Sequence, residues 1–239
     1  MEAIVVGGLD IGESDRIVFL LSDRLGRTRA IARGARKSKK RFAGKLDPGC
    51  RLDLTIRKGR GSLASITGIE LISGPRYARE DLDRLAFLTY GCEICAALAP
   101  EDHATPKLFG LLGVWLLLLE GDITPGSPAR IAFEAKALTF AGLTPSLVRC
   151  ASCGDPLDDP AVFDPESGGG LHSRCGGGRR IATRTLAEFE RWRRTPLRDL
   201  VDKNTPLRTE EVWVLSDFIR YQLGRALKTR ALLEDLARM

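Results

Sequence analysis

The spacing of the apolar residues changes at Gly74-Pro75, and that change constrains the fold more than any other feature of the chain. Before it, short apolar runs alternate with turn residues. Ala3-Ile4-Val5-Val6 precedes Gly7-Gly8, residues 16–21 follow Gly12-Glu13-Ser14-Asp15, and residues 27–32 follow Gly26. Arg51–Arg57 comes next, then 62–66 behind Gly59-Arg60-Gly61. Arg51–Arg57 alternates strictly, with Leu52, Leu54 and Ile56 on one face, which is the period of a half-buried strand. Five such runs in the first third predict a five-stranded β-barrel of the oligonucleotide-binding (OB) type.

Beyond Gly74-Pro75 the recurrence becomes helical. Leu85, Leu88, Cys92, Cys95 and Ala99 form one stripe, and Thr105-Pro106 opens a second helix through Leu119. Ser127-Pro128 supplies a capping residue and a first-turn proline to a third helix, closed by Gly142. Thr185 and Glu188 have capping-box spacing ahead of Phe189 and Trp192. Thr209-Glu210-Glu211 opens an amphipathic helix with Trp213, Leu215 and Phe218 that continues towards Leu232 and Leu236. Between these helices lies a loop-like insert rich in Gly, Pro, Asp and Cys. The expected architecture is α+β and multi-domain: a barrel over residues 1–76 and an α-helical domain over 77–239, interrupted by the insert at about 144–180.

Charge is unevenly distributed. The 239 residues carry 37 Lys+Arg against 31 Asp+Glu, but residues 1–80 alone hold 17 basic and 9 acidic groups. The N-terminal third is therefore the part expected to meet a polyanion. With 44% hydrophobic and 28% charged residues the chain reads as globular. Its longest apolar run, 108–119, is too short to span a bilayer, and Met1-Glu2-Ala3-Ile4 does not begin a signal peptide. A cytoplasmic protein with reduced cysteines and no membrane partner is expected.

The insert carries the strongest chemical signal. Cys150 and Cys153 are spaced C-x2-C, and His172 and Cys175 follow as H-x2-C. Two knuckles at this separation match a tetrahedral zinc site, and four protein ligands leave no position open for water, so one structural Zn²⁺ is expected. Cys92 and Cys95 share the spacing but lie on an apolar helical stripe, where buried packing is the reading. Cys50 reads as a barrel core residue, and His103 and the pairs Glu101-Asp102 and Asp158-Asp159 read as solvated surface. The second signal is a cationic run: Arg27, Arg29, Arg33, Arg36, Lys37, Lys39, Lys40, Arg41 and Lys45, with no acidic residue among them. Such a run neutralises phosphates. Phe42, inside it, either stacks on a base or anchors the loop. No phosphate-binding G-x-x-x-x-G-K-[ST] loop or G-x-G-x-x-G is present, and two histidines give no convincing nucleophilic triad, so an enzyme is not expected.

These segments resemble the RecO family of bacterial recombination mediators. The likeness lies in Gly12-Glu13-Ser14-Asp15-Arg16, Gly26-Arg27 and the stretch Ala32-Arg33-Gly34-Ala35-Arg36-Lys37-Ser38-Lys39-Lys40-Arg41-Phe42. Gly142-Leu143-Thr144-Pro145 before the Cys150/Cys153 pair, Gly168-Gly169-Gly170 and Leu227-Lys228-Thr229-Arg230 extend it along nearly the whole chain. In zinc-bearing members the second knuckle is usually C-x2-C; here His172 takes its first position, which implies a Cys₃His site. The resemblance implies binding of single- and double-stranded DNA, annealing of complementary strands, and cooperation with RecR. The two together would load RecA onto DNA coated by single-strand-binding protein, with the work done at the nucleoid. A docking place for the acidic tail of single-strand-binding protein is expected on the helical domain, with Arg220, Arg225 and Arg230 as candidates. Two alternatives are a zinc-ribbon RNA-binding or RNA-modifying protein that uses the barrel as its platform, and an adaptor whose basic loop docks an acidic protein.

Overall fold

The computed structural model describes residues 1–57, 63–203, 209–212 and 214–236. The expected Gly59-Arg60-Gly61 turn, Ser62 and Trp213 lie outside them. β1 (Glu2–Ile11), β2 (Asp15–Ser22) and β3 (Gly26–Ala32) form successive antiparallel hairpins. β4 (Arg51–Arg57) pairs antiparallel with both β1 and β5 (Ala64–Ser73), and a short parallel pairing of β3 with β5 closes the barrel in the order β1-β2-β3-β5-β4. This is the expected five-stranded OB-type barrel. Alternation fills it as predicted: Leu52 and Leu54 join Ala3, Val5, Val18, Leu20, Ala30, Ala32, Cys50 and Ile66 inside, with Ile56 packed against them. β5 runs seven residues beyond Ile66: Ile69 still packs against the barrel core, and the backbone goes on pairing with β4 beyond it, where Leu71 pairs with Leu52 yet is exposed.

The helices are shared between two compact units. One compact unit comprises Met1–Asp122 together with Leu227–Met239, and the other Ile123–Ala226. In the first, α1 (Leu82–Leu98) packs on β1, β2, α2 (Pro106–Leu119) and α7 (Lys228–Leu236). Packing on several sides explains why α1 buries Tyr90, Gly91 and Ile94 as well as the predicted Cys92 and Cys95, whereas Leu85 on the predicted stripe is exposed. α7 is held by a side chain on α1. The Glu93 carboxylate accepts the backbone N–H of Lys228 and of Thr229, both at 2.9 Å, and the Thr229 hydroxyl at 2.7 Å. The predicted continuous helix from Thr209 to the C-terminus is thus broken: α5 (Thr209–Val212) and α6 (Val214–Leu223) precede the turn at Gly224, and α7 is separate.

The second unit contains α3 (Ser127–Phe140), α4 (Thr183–Arg194), α5, α6 and a three-stranded sheet of β6 (Ala161–Asp164), β7 (Gly169–His172) and β8 (Arg179–Ile181), ordered β7-β6-β8. Two helix starts differ from expectation. Gly126, not Ser127, is the N-cap of α3. α4 begins two residues before Thr185, where Asp159 accepts the Thr183 N–H at 3.0 Å. Thr185 is instead buried and donates to the Glu211 carboxylate at 2.9 Å.

Candidate nucleic-acid interface and metal centre

The insert brings its four predicted ligands together. Cys150 and Cys153 lie on a turn closed by the Gly154 N–H on the Cys150 carbonyl (2.9 Å), and His172 ends β7, with Cys175 in the turn after it. The Ala151 N–H bonds the Gly170 carbonyl at 2.8 Å and ties one knuckle to the other. This crossing needs glycine. At Gly169, φ is +142° and a Cβ would sit 2.4 Å from the Ser146 carbonyl oxygen.

The four ligand atoms lie within 4.8 Å of one another, so the group can hold a metal ion. Bonds of about 2.3 Å to sulfur and 2.0–2.1 Å to nitrogen, at tetrahedral angles, set S···N separations near 3.5 Å. His172 Nδ1 is 3.4 Å from the Cys153 sulfur and 3.8 Å from that of Cys175. The other ring nitrogen, Nε2, is 2.9 Å from the Pro156 carbonyl, which can only accept. Nε2 therefore carries the proton and Nδ1 turns its lone pair to the sulfurs, the outer-shell contact that orients a metal-binding histidine. Burial opposes ionisation of Cys150, but the backbone N–H groups of Cys153, His172 and Ser152 outweigh it and bring the thiol down to about 6. Burial, then hydrogen bonding to Cys150 and Cys153, pushes Cys175 up to about 11. The apolar cluster beside the ligands is small, Cys150, Val162 and Leu171 flanked by Leu157 and Cys175, which is little to hold a loop-rich segment by itself.

The cationic run is brought to the barrel surface but is not uniform. Arg27 and Arg29, on β3, share the Glu101 carboxylate at 3.1 and 3.8 Å. Arg36 faces Asp10 at 3.6 Å and donates to the Gly12 carbonyl at 2.9 Å. Three arginines of the run are thus met by acids from outside it. Arg41 donates to the Ile66 and Thr67 carbonyls at 2.7 and 2.8 Å, and its guanidinium lies 4.6 Å from the centre of the Phe42 ring. Phe42 is 4% exposed, inside the barrel core. A base cannot reach its face, so of the two readings of Phe42 the loop anchor is the one that fits.

Between the Gly34 turn and Cys50 the loop is pinned at both ends. At its start the Asp15 carboxylate accepts the Gly34 N–H (2.8 Å) and the Ser14 hydroxyl (3.0 Å), while the Arg36 N–H reaches the Ser14 carbonyl (3.0 Å). These bonds join two segments, Gly12–Arg16 and Arg33–Arg36, that are separate in sequence. Lys37, Lys39 and Lys40 are exposed and Lys45 is half-buried, and among the described residues no carboxylate pairs with any of them. Arg33 is exposed and lies near enough to Asp15 to favour its ionised form. Elsewhere, Cys50, Cys92 and Cys95 are buried as predicted and His103 is exposed. Arg220 faces Asp217 at 3.9 Å and belongs with Arg225 to the second unit, whereas Arg230, in the first, pairs with Glu234 at 2.6 Å. Glu101, Asp10 and Pro156 were not legible as site residues, because each acts through contacts distant in sequence.

A closed OB-type barrel followed by helices, with a Cys₃His cluster able to hold a metal, defines a modular OB-fold protein, and no described helix is long and apolar enough to cross a membrane. Residues 1–75 match the family Recombination protein O N terminal, and residues 79–231 match Recombination protein O C terminal. The DNA repair protein RecO of Myxococcus xanthus is 37% identical over 235 residues, covering 95% of this chain and 93% of its own. Proteins of the same name from Anaeromyxobacter dehalogenans (strain 2CP-C) and Pelobacter propionicus are 35% and 31% identical, each over 99% of this chain and 96% of their own. The chain belongs to the RecO family of DNA repair and recombination proteins.

Proposed function

We propose that the chain is a non-enzymatic recombination mediator whose barrel, residues 1–76, binds the backbone of single- and double-stranded DNA. The observation that carries this reading is the set Lys37, Lys39, Lys40 and Lys45, with no carboxylate partner among the described residues, on a loop fixed to the barrel by Phe42 and Arg41. Cations presented without a fixed counter-charge neutralise phosphates irrespective of base sequence. Lowered repulsion between strands then favours their annealing. Membership of the family supports the finer roles: cooperation with RecR, contact with the acidic tail of single-strand-binding protein, and loading of RecA, all at the nucleoid in the cytoplasm. The Cys₃His donor set, soft and closed to a fifth ligand, suits one structural Zn²⁺ that stands in for the core the insert lacks.

The test is binding of single-stranded DNA across a salt series, with Lys37, Lys39 and Lys40 changed together to Ala. Arg41 is left intact because it holds the loop. The triple variant should bind every sequence more weakly, anneal more slowly, and lower the salt slope by about 0.7 for each phosphate that is no longer neutralised. Parent-like binding at every salt concentration would place the DNA surface elsewhere. A preference for structured RNA over single-stranded DNA in the same assay would favour an RNA-binding role.

A further inference from the structure

The carboxylates facing the run's cations come from outside it, and two of them each take two arginines: Asp10 faces Arg16 and Arg36 through separate oxygens, whereas Glu101 meets Arg27 and Arg29 through one. Glu101 lies in the connection between α1 and α2, about seventy residues from β3 in sequence. Its Oε1 faces both Arg27 (3.1 Å) and Arg29 (3.8 Å), neighbours on one side of β3. Backbone bonds fix it there. The Arg27 N–H donates to the Pro100 carbonyl at 3.0 Å, and the Thr105 N–H to the Asp23 carbonyl at 3.1 Å. At Gly26, φ is +58° and a Cβ would lie 2.2 Å from the His103 carbonyl oxygen, so the connection rests directly on the β2–β3 turn.

We infer that Glu101 is a built-in counter-ion that withholds Arg27 and Arg29 from the nucleic acid and confines the phosphate path to the lysine loop. This rests on the DNA-binding reading of the barrel and adds a residue that limits it. An exposed ion pair normally contributes little because two long side chains must be ordered to make it. Here backbone hydrogen bonds already hold the main chain on either side of Glu101 against the barrel, and one carboxylate oxygen serves two guanidinium groups. An arginine whose charge is met by a fixed carboxylate neutralises no phosphate and releases no counterion. The nine cations of the run are therefore not equivalent: Arg27 and Arg29 are held in reserve by Glu101, and Arg36 is partly occupied by Asp10 and the Gly12 carbonyl.

The experiment compares Glu101→Gln with Asp102→Asn, which removes the same charge one residue away without freeing an arginine. Glu101→Gln should strengthen single-strand binding roughly two- to fivefold at about 0.1 M salt and steepen the salt slope by about 1.4, for two arginines released. Arg29→Ala should leave the parent's slope unchanged but reduce that of Glu101→Gln by about 0.7. Unchanged melting temperature and metal content in each variant separate this from loss of fold, and Glu101→Ala repeats the test with a different side chain. Equal gains from Glu101→Gln and Asp102→Asn, or an Arg29→Ala effect of the same size in both backgrounds, would overturn the inference. If the triple lysine variant weakens binding while Glu101→Gln behaves as the parent, only the counter-ion role fails. If the triple lysine variant also binds as the parent, the DNA-binding reading itself fails.

Discussion

The imidazole Nε2 of His172 is bonded to the Pro156 carbonyl oxygen at 2.9 Å, so a residue within the insert decides which nitrogen faces the cysteines. One zinc per chain is expected by elemental analysis. Cys153→Ser should lower metal content and raise amide exchange across residues 146–176 while the barrel keeps its protection. His172→Cys should retain the metal, since a thiolate replaces an imidazole in the same tetrahedron. Loss of metal in that variant would put the fourth ligand elsewhere.

Asp15 ties the start of the lysine loop to the barrel in a pH-dependent way. The Gly34 N–H, then the Ser14 hydroxyl, hold its carboxyl below the usual 3.8, with burial opposing and Arg33 assisting. A carboxyl depressed in the folded state stabilises fully above its unfolded value, and this contribution fades as pH falls through the lower folded value. The Gly34 amide should therefore keep constant exchange protection from neutral pH down to about 4 and lose it only below that. In Asp15→Asn the pH step should vanish. A step surviving in that variant would assign it to another group.

Phe42 tests the loop's anchorage. Removing a buried phenylalanine leaves a cavity, so Phe42→Ala should cost about 3–5 kcal/mol in denaturant unfolding. Phe42→Leu should restore much of that stability and bind DNA as the parent does. A base-stacking ring would give the opposite pattern, with affinity reduced in Phe42→Leu and stability hardly changed.

The α1 thiols are expected to be inert. Burial pushes Cys92 up to about 12 and Cys95 well above the ordinary thiol value. Neither should react with a thiol-specific disulfide reagent at pH 8 until the protein unfolds, while Cys153, which is exposed, should react once metal is removed. Ala at either helix position should cost about 1 kcal/mol and leave metal content unchanged. A double variant without metal would make this pair a ligand set.

The Glu93 carboxylate that caps α7 predicts a local effect at the far end of the chain. Glu93→Ala should cost about 1–2 kcal/mol and expose the amides of Lys228 and Thr229 to exchange, with the lysine loop untouched.

What was legible in the sequence follows from the range of the forces involved. Strict alternation in Arg51–Arg57 and the knuckle spacing of Cys150, Cys153, His172 and Cys175 are local patterns, and both the barrel and the ligand cluster followed from them. Thr185 misled because a threonine followed three residues later by a glutamate has capping-box spacing whether or not it caps; its hydroxyl was committed to Glu211 across the fold. The counter-charges of Arg27, Arg29 and Arg36 are not legible beside the run because Glu101 and Asp10 come from other segments. Phe42 was ambiguous since a loop aromatic looks alike in sequence whether it points into a barrel or away from it.

The path of the chain through its two compact units has a consequence for biosynthesis. The barrel and α1 emerge from the ribosome before the second unit, but α7, which packs on α1 and is capped by Glu93, emerges after it. In between, the unit that carries the Cys₃His cluster begins at Ile123 and the chain returns at Leu227, so it is spliced into the first unit. During translation the barrel and α1 must wait, with the surface destined for α7 uncovered, until the intervening segment has been made. A ribosome stalled between Asp122 and Leu227 would therefore leave its mark at the first unit, far in sequence from the stall.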